Sequence, residues 1–198
     1  KNHKRIIFNG NGYDDSWVKE AESRGLLNLK TTPDALPYFK TEENIELFER
    51  QKVLSKEEVQ SRYEILMDEY EKQINIEALT MLDIAKKDIL PAASKFSKEL
   101  TDTIANKKAI GIDLTYELET AKKVSEYLTE AYQALITLEK DVEKLHSIDD
   151  FEKSAFYVRD FIIQDMAALR KPCDELEVVT SNEAWPFPTY GKLLFGIL

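Results

Sequence analysis

Cysteine is nearly missing from this 198-residue chain: Cys173 stands alone, which excludes an intramolecular disulfide and fits a reducing compartment. Histidine is almost as scarce. His3 and His146 are the only two, and neither has a second ligand at helical spacing, so no metal site is legible. No apolar run approaches the ~20 residues that a membrane-spanning helix needs. The start, Lys-Asn-His-Lys-Arg, is followed by three apolar residues only, which does not read as a signal peptide. An initiator Met is also lacking, so the chain reads as cut from something longer, and a cytoplasmic location is expected. Basic residues are outnumbered, 27 against 37, for a net charge of −10. The first forty residues are net +2, so the remainder totals −12. A pI near 4.9 argues against a nucleic-acid backbone or an anionic membrane as partner. Turn residues are few as well. From Tyr38 to Trp185 only Pro91, Gly111 and Pro172 interrupt the chain, whereas strands would need a turn every ~8–12 residues. The fold class is therefore mainly all-α. No repeat and no low-complexity tract is visible.

What is present has a clear order. Arg5-Ile6-Ile7-Phe8 before Asn9-Gly10-Asn11-Gly12 predicts a short N-terminal strand entering a turn. Asp14 or Asp15 can cap a helix that ends at Arg24, with Gly25 as its left-handed stop. Thr31 and Thr32 precede Pro33 and open a short helical turn, and Thr41 can cap a helix through Glu49. Ser55 and Glu58 form a capping box at the head of a long helix. Its apolar face runs Tyr63, Met67, Tyr70, Ile74, Ala78, Met81, Ala85. Pro91 should kink or break that rod, and the pattern resumes with Phe96, Leu100 and Ile104 until Gly111.

The next helix carries the strongest signal. Ala121, Val124, Leu128, Ala131, Leu135, Leu138, Val142 and Leu145 are spaced alternately three and four apart, a heptad seam. Leu128, Leu135, Leu138 and Val142 are its centre. A last helix follows Asp149 and carries Phe151, Ala155, Val158, Ile162, Met166, Leu169, Cys173 and Leu176, with a bend expected at Pro172. These seams predict an antiparallel bundle of long helices; a free homodimeric coiled coil is the alternative. Pro186 and Pro188 push Trp185 and Phe187 out of helical geometry, which predicts an extended C-terminal tail. Trp185, Phe187 and Tyr190 are expected to dock it as a structural strap.

Candidate chemistry is thin. The Asn-Gly-Asn-Gly run at 9–12 lacks a Walker Lys-Ser/Thr and the G-x-G-x-x-G spacing, so it reads as a plain turn. His146 suits the negative end of a helix dipole. Cys173 lies on an apolar face without an activating base and reads as a buried small hydrophobe. Acidic residues such as Glu42, Glu43, Glu46 and Glu49 read as a solvated face. No catalytic, cofactor-binding or metal-binding residue is assigned.

Several strings, in order, carry a resemblance. They are Phe8-Asn9-Gly10-Asn11-Gly12-Tyr13 with Trp17, Arg24-Gly25-Leu26-Leu27-Asn28, and Thr32-Pro33-Asp34-Ala35-Leu36-Pro37-Tyr38. Further along come Ser61-Arg62-Tyr63-Glu64-Ile65-Leu66, Ile76-Glu77-Ala78-Leu79-Thr80-Met81, Lys87 to Pro91, and Trp185-Pro186-Phe187-Pro188-Thr189-Tyr190-Gly191. Together they resemble the C-terminal end of type III glutamine synthetase, over nearly the whole chain. Residues 106–177 are generic bundle sequence.

The resemblance implies an ATP-dependent ligase that joins ammonia to glutamate through a γ-glutamyl phosphate. ATP and Mg or Mn are then cofactors of the parent enzyme, and none is expected in this fragment, because the family's metal- and substrate-binding motifs lie upstream of the matched region. The resemblance divides the chain into residues 1–80, the end of the catalytic domain, and 81–198, a helical extension with a docked tail. It also implies partners: the chain's own catalytic domain and neighbouring subunits of a hexameric-ring homo-oligomer. Two functions follow as expectations. One is a non-catalytic C-terminal region supporting fold and assembly; the other is a stand-alone helical interaction module with the heptad seam as its partner face.

Overall fold

The computed structural model describes residues 2–196, apart from the side chains of Arg5 and Tyr190. It is mostly helical, at 76%, and no strand occurs among the described residues. Two compact units are resolved, Lys1–Met67 and Asp68–Leu198, with one helix contributing to each.

In the first unit Lys4–Ile6 forms a single 3-10 turn, not the strand expected at Arg5–Phe8. Among the described residues no strand is there to pair with, and Ile6 and Ile7 satisfy their N–H groups locally, on the carbonyls of His3 and Lys4. Helix α1 (Asp15–Ser23) is capped by Asp14, which accepts from Ser16 N at 2.8 Å, and Gly25 stops it at φ +72°. Helix α2 (Thr32–Phe39) begins on Thr31, whose hydroxyl accepts from Asp34 N. Helix α3 (Glu42–Arg50) follows Thr41, although the Thr41 hydroxyl bonds back to Tyr38 O and not into the helix. Both arms of the capping box form at the head of α4 (Lys56–Ile84): Glu58 Oε2 accepts from Ser55 N at 2.7 Å, and Glu58 N donates to Ser55 Oγ at 3.3 Å. Val59, Tyr63 and Met67 of α4 are buried in this unit, with the Lys40 ammonium 3.7 Å from the Tyr63 ring centroid.

In the second unit α4 passes into a wide π-type turn, Ala85–Ile89, and continues as α5 (Leu90–Ala109). Pro91 does not end the helical path. Leu90 N reaches back five residues to Ala85 O, and this widening absorbs the proline ring and its missing N–H. Helix α6 (Thr115–Leu145) follows Gly111, which sits at φ +71°. Helix α7 (Phe151–Tyr157) is capped by Asp150, passes through a second wide turn, Val158–Ile162, and becomes α8 (Ile163–Val179). Pro172 lies inside α8 without ending it. Helix α6 packs against α5 and α8, and the shared core contains Ala78, Ala85, Leu100, Leu138, Ile162 and Leu176. The tail departs from the expected extended form: Thr189 caps a short helix, α9 (Tyr190–Phe195), its hydroxyl accepting from Lys192 N at 3.3 Å. The prolines constrain only the residues before them, so Thr189 is free to start a helix.

Candidate functional site

The heptad seam is the interior face of α6. Val124, Ala131, Leu135, Leu138, Val142 and Leu145 are buried, while Ala121 and Leu128 are partly buried against the same core. Polar ties fix the ends of this helix. Lys107 near the end of α5 pairs with Glu117 in the first turn of α6, and Lys86 of the first wide turn pairs with Glu139. His146 caps the C-terminus of α6 with its Nε2 3.2 Å from the Asn75 amide of α4.

Of the three tail residues, Trp185 packs against the core of the second unit. Phe187, 37% exposed, meets it edge-on at 6.2 Å between ring centroids. Tyr190 opens α9, and its side chain lies outside the described residues. Leu193, Leu194 and Phe195 of α9 are exposed.

The most unusual polar arrangement is one the sequence reasoning missed. Asp141 of α6 and Asp165 of α8 face each other within hydrogen-bonding reach, and the Tyr157 hydroxyl donates to Asp141 Oδ1 at 2.5 Å. Asp165 Oδ2 is buried with no donor to it among the described residues. Burial first, and then the Asp141 carboxyl, push the Asp165 carboxyl up to about 6, from an ordinary 3.8. Burial and the same carboxyls also raise the Tyr157 hydroxyl far above its ordinary range, so it remains a donor. The Tyr157 ring stacks on Phe161 at 4.7 Å, and the Lys144 ammonium lies 4.9 Å from the Tyr157 ring centroid. A signal was available: Asp141 directly precedes the seam residue Val142, and Asp165 directly precedes Met166 on the facing helix. Like charges flanking two packed seams are an anomaly that pairwise reading of the two helices would have exposed.

An open apolar groove of about 490 Å³ runs between α4 and α8, lined among others by Ile76, Met81, Ile84, Met166, Leu169 and Cys173. Burial pushes the Cys173 thiol up to about 11, which leaves it protonated and a poor nucleophile at neutral pH. Near the N-terminus, the 9–12 loop leads into a turn closed by Asp14 N donating to Asn11 O at 3.2 Å. Asn11 Oδ1 accepts from Tyr13 N at 3.1 Å, and the Phe8 ring, stacked on Trp17 at 4.2 Å, folds over Gly10 where a Cβ would meet it at 2.5 Å. Arg24 lies 5.6 Å from the Trp17 ring centroid and donates to Ile7 O at 2.8 Å, which ties together two of the strings that carry the resemblance. Among the described residues, no group of three or more His, Cys, Asp or Glu side chains is placed to hold a metal ion. No helix among them is long and apolar enough to cross a membrane.

Comparison with known proteins agrees with these strings. Over 197 residues the chain is 40% identical to a glutamine synthetase of Butyrivibrio fibrisolvens, an alignment covering 98% of this chain and 28% of that protein. Over 203 residues it is 34% identical to the type-3 glutamine synthetase of Dictyostelium discoideum, covering 98% and 27%. A glutamine synthetase of Bacteroides fragilis (strain YCH46) is 26% identical over 196 residues, covering 96% and 27%. The chain thus spans little more than a quarter of the length of these relatives. Residues 1–108 match the family model for the glutamine synthetase C-terminal domain, and with a type-3 enzyme among the relatives matched along nearly its whole length, this chain belongs to the glutamine synthetase C-terminal domain family, of the type III kind.

Proposed function

We propose that this chain is the non-catalytic helical region of a type III glutamine synthetase, an ATP-dependent glutamate–ammonia ligase, and that it supports the enzyme's fold and oligomer assembly. The observation that carries the reading is the 40% identity over 98% of this chain to 28% of a glutamine synthetase. On this reading ATP and its divalent metal are bound elsewhere in the parent enzyme, which works in the cytoplasm. Residues 1–80 close the catalytic domain, and residues 81–198 form an antiparallel bundle that braces it and contacts neighbouring subunits of a ring. Short connections between α5 and α6 and between α6 and α7 favour antiparallel neighbours. Apolar side chains left uncovered on α4, Ile65 in the first unit and Ile76 and Leu79 in the second, are what a region built to sit against more protein leaves exposed.

Two measurements test this. The 198-residue chain, given glutamate, ammonia, ATP and Mg²⁺, should form no glutamine and give no saturable heat with ATP. The parent enzyme without residues 81–198 should lose its oligomeric state in sedimentation and its activity with it. Turnover or a micromolar ATP isotherm with the chain alone overturns the non-catalytic assignment. Intact assembly after the deletion overturns the supporting role.

A further inference from the structure

We propose that Asp141 and Asp165 form a proton-operated clasp between α6 and α8, closed when one proton is shared between the two carboxyls and opened when both are ionised. Three observations place the proton there. The carboxyls face each other across two packed helices, and among the described residues Asp165 Oδ2 is buried without a donor and the Tyr157 O–H serves Asp141 alone. With one proton, Asp165 donates to Asp141, which already accepts from Tyr157, and the three groups form a satisfied chain. With none, two negative charges meet in a poorly solvated interface and only the Tyr157 hydrogen bond remains.

The surrounding groups do not neutralise the pair. On α6, Lys144 lies over the Tyr157 and Phe161 rings. In the wide turn beside α8, Asp160 is held by Arg159 at 2.6 Å, and in the other wide turn Lys86 is engaged by Glu139. No lysine or arginine pairs with either carboxyl among the described residues.

The direction follows from linkage. Asp165 is raised from 3.8 to about 6, so the folded state holds a proton that the unfolded chain has released. The clasp's stabilisation is complete below about pH 4 and is lost as pH rises through about 6. The midpoint belongs to the pair, not to one residue. A cytoplasm drifting to acid therefore tightens α6 on α8, and neutral pH relaxes them.

Asp165→Asn is the informative variant, because the amide N–H donates to Asp141 at every pH, as the protonated acid does. Melting curves of the 198-residue chain should coincide for wild type and D165N near pH 4, where the clasp is complete. The variant should pull ahead by several degrees at pH 7.5. Carbon-detected NMR of the wild-type aspartate carboxyls should show one titration midpoint near 6, and it should vanish in D165N. Parallel melting curves from pH 4 to 7.5 overturn the clasp. Should the variant fail to fold, the wild-type titration decides alone: every aspartate midpoint below about 4.5 overturns it too.

Discussion

Leu135 shows what one seam residue contributes. It is 3% exposed at the centre of α6, with Ala131 and Leu138 buried on the same face. Leu135→Ala should cost ~2–5 kcal/mol, the lost transfer of its methyl groups plus the residual cavity. Chemical denaturation at low protein concentration checks this, since a residue serving only a partner surface would leave the monomer's midpoint in place. The seam could be read from the sequence because a heptad is a property of one helix. Asp141 and Asp165 could not be read that way. Each is an ordinary helix-surface acid in its own sequence, and their meaning comes from facing each other across two elements 24 residues apart. Burial then does what local sequence cannot announce: it turns a solvated carboxylate into a group that keeps its proton to about pH 6.

At the level of elements, capping chemistry was the legible part. Asp14, Thr31, Ser55 with Glu58, and the two left-handed glycines Gly25 and Gly111 stand where helices start or stop. The strand at Arg5–Phe8 was misread because three apolar residues carry no information about a pairing partner, and none exists among the described residues. The wide turns were missed, yet the spacing held a trace of them. In α7–α8 the core-facing positions step 158, 162, 166, two fours in succession, where the turn Val158–Ile162 takes in an extra residue. Positions 85, 89 and 93 do the same across Ala85–Ile89. This makes a prediction about Pro91. In a regular helix interior, replacing proline by alanine recovers about 3 kcal/mol. Here the extra residue is held by the seams on either side, so Pro91→Ala should gain less than about 1 kcal/mol in chemical denaturation, and amide exchange should show the wide turn still in place. A gain near the full amount would mean that the ring alone deforms the helix.

For the whole molecule, the tail tests how much of the chain beyond α8 belongs to the folded unit. Trp185 lies against the same core as Leu128, Leu176 and Val179, although its Nε1 is buried without an acceptor, which subtracts from what its burial provides. Beyond it the contribution changes character: Phe187 touches Trp185 from a half-open position, and Leu193, Leu194 and Phe195 stand exposed, Phe195 at 84%. Burial of an aromatic ring is worth ~1.5–3 kcal/mol, whereas exposed apolar residues add nothing to the fold and invite association. Truncation after Ala184 should therefore lower the melting temperature, and Trp185→Ala in the intact chain should reproduce most of that loss. Removing only residues 192–198 should leave the melting curve nearly unchanged and, in sedimentation, reduce self-association. If the shorter truncation destabilises as much as the longer one, α9 is bound to the core in solution, and the weight placed on Trp185 is wrong. If neither moves the curve, and amides from 185 onward exchange at the rate of free peptide, the tail is not a strap and the folded unit ends with α8.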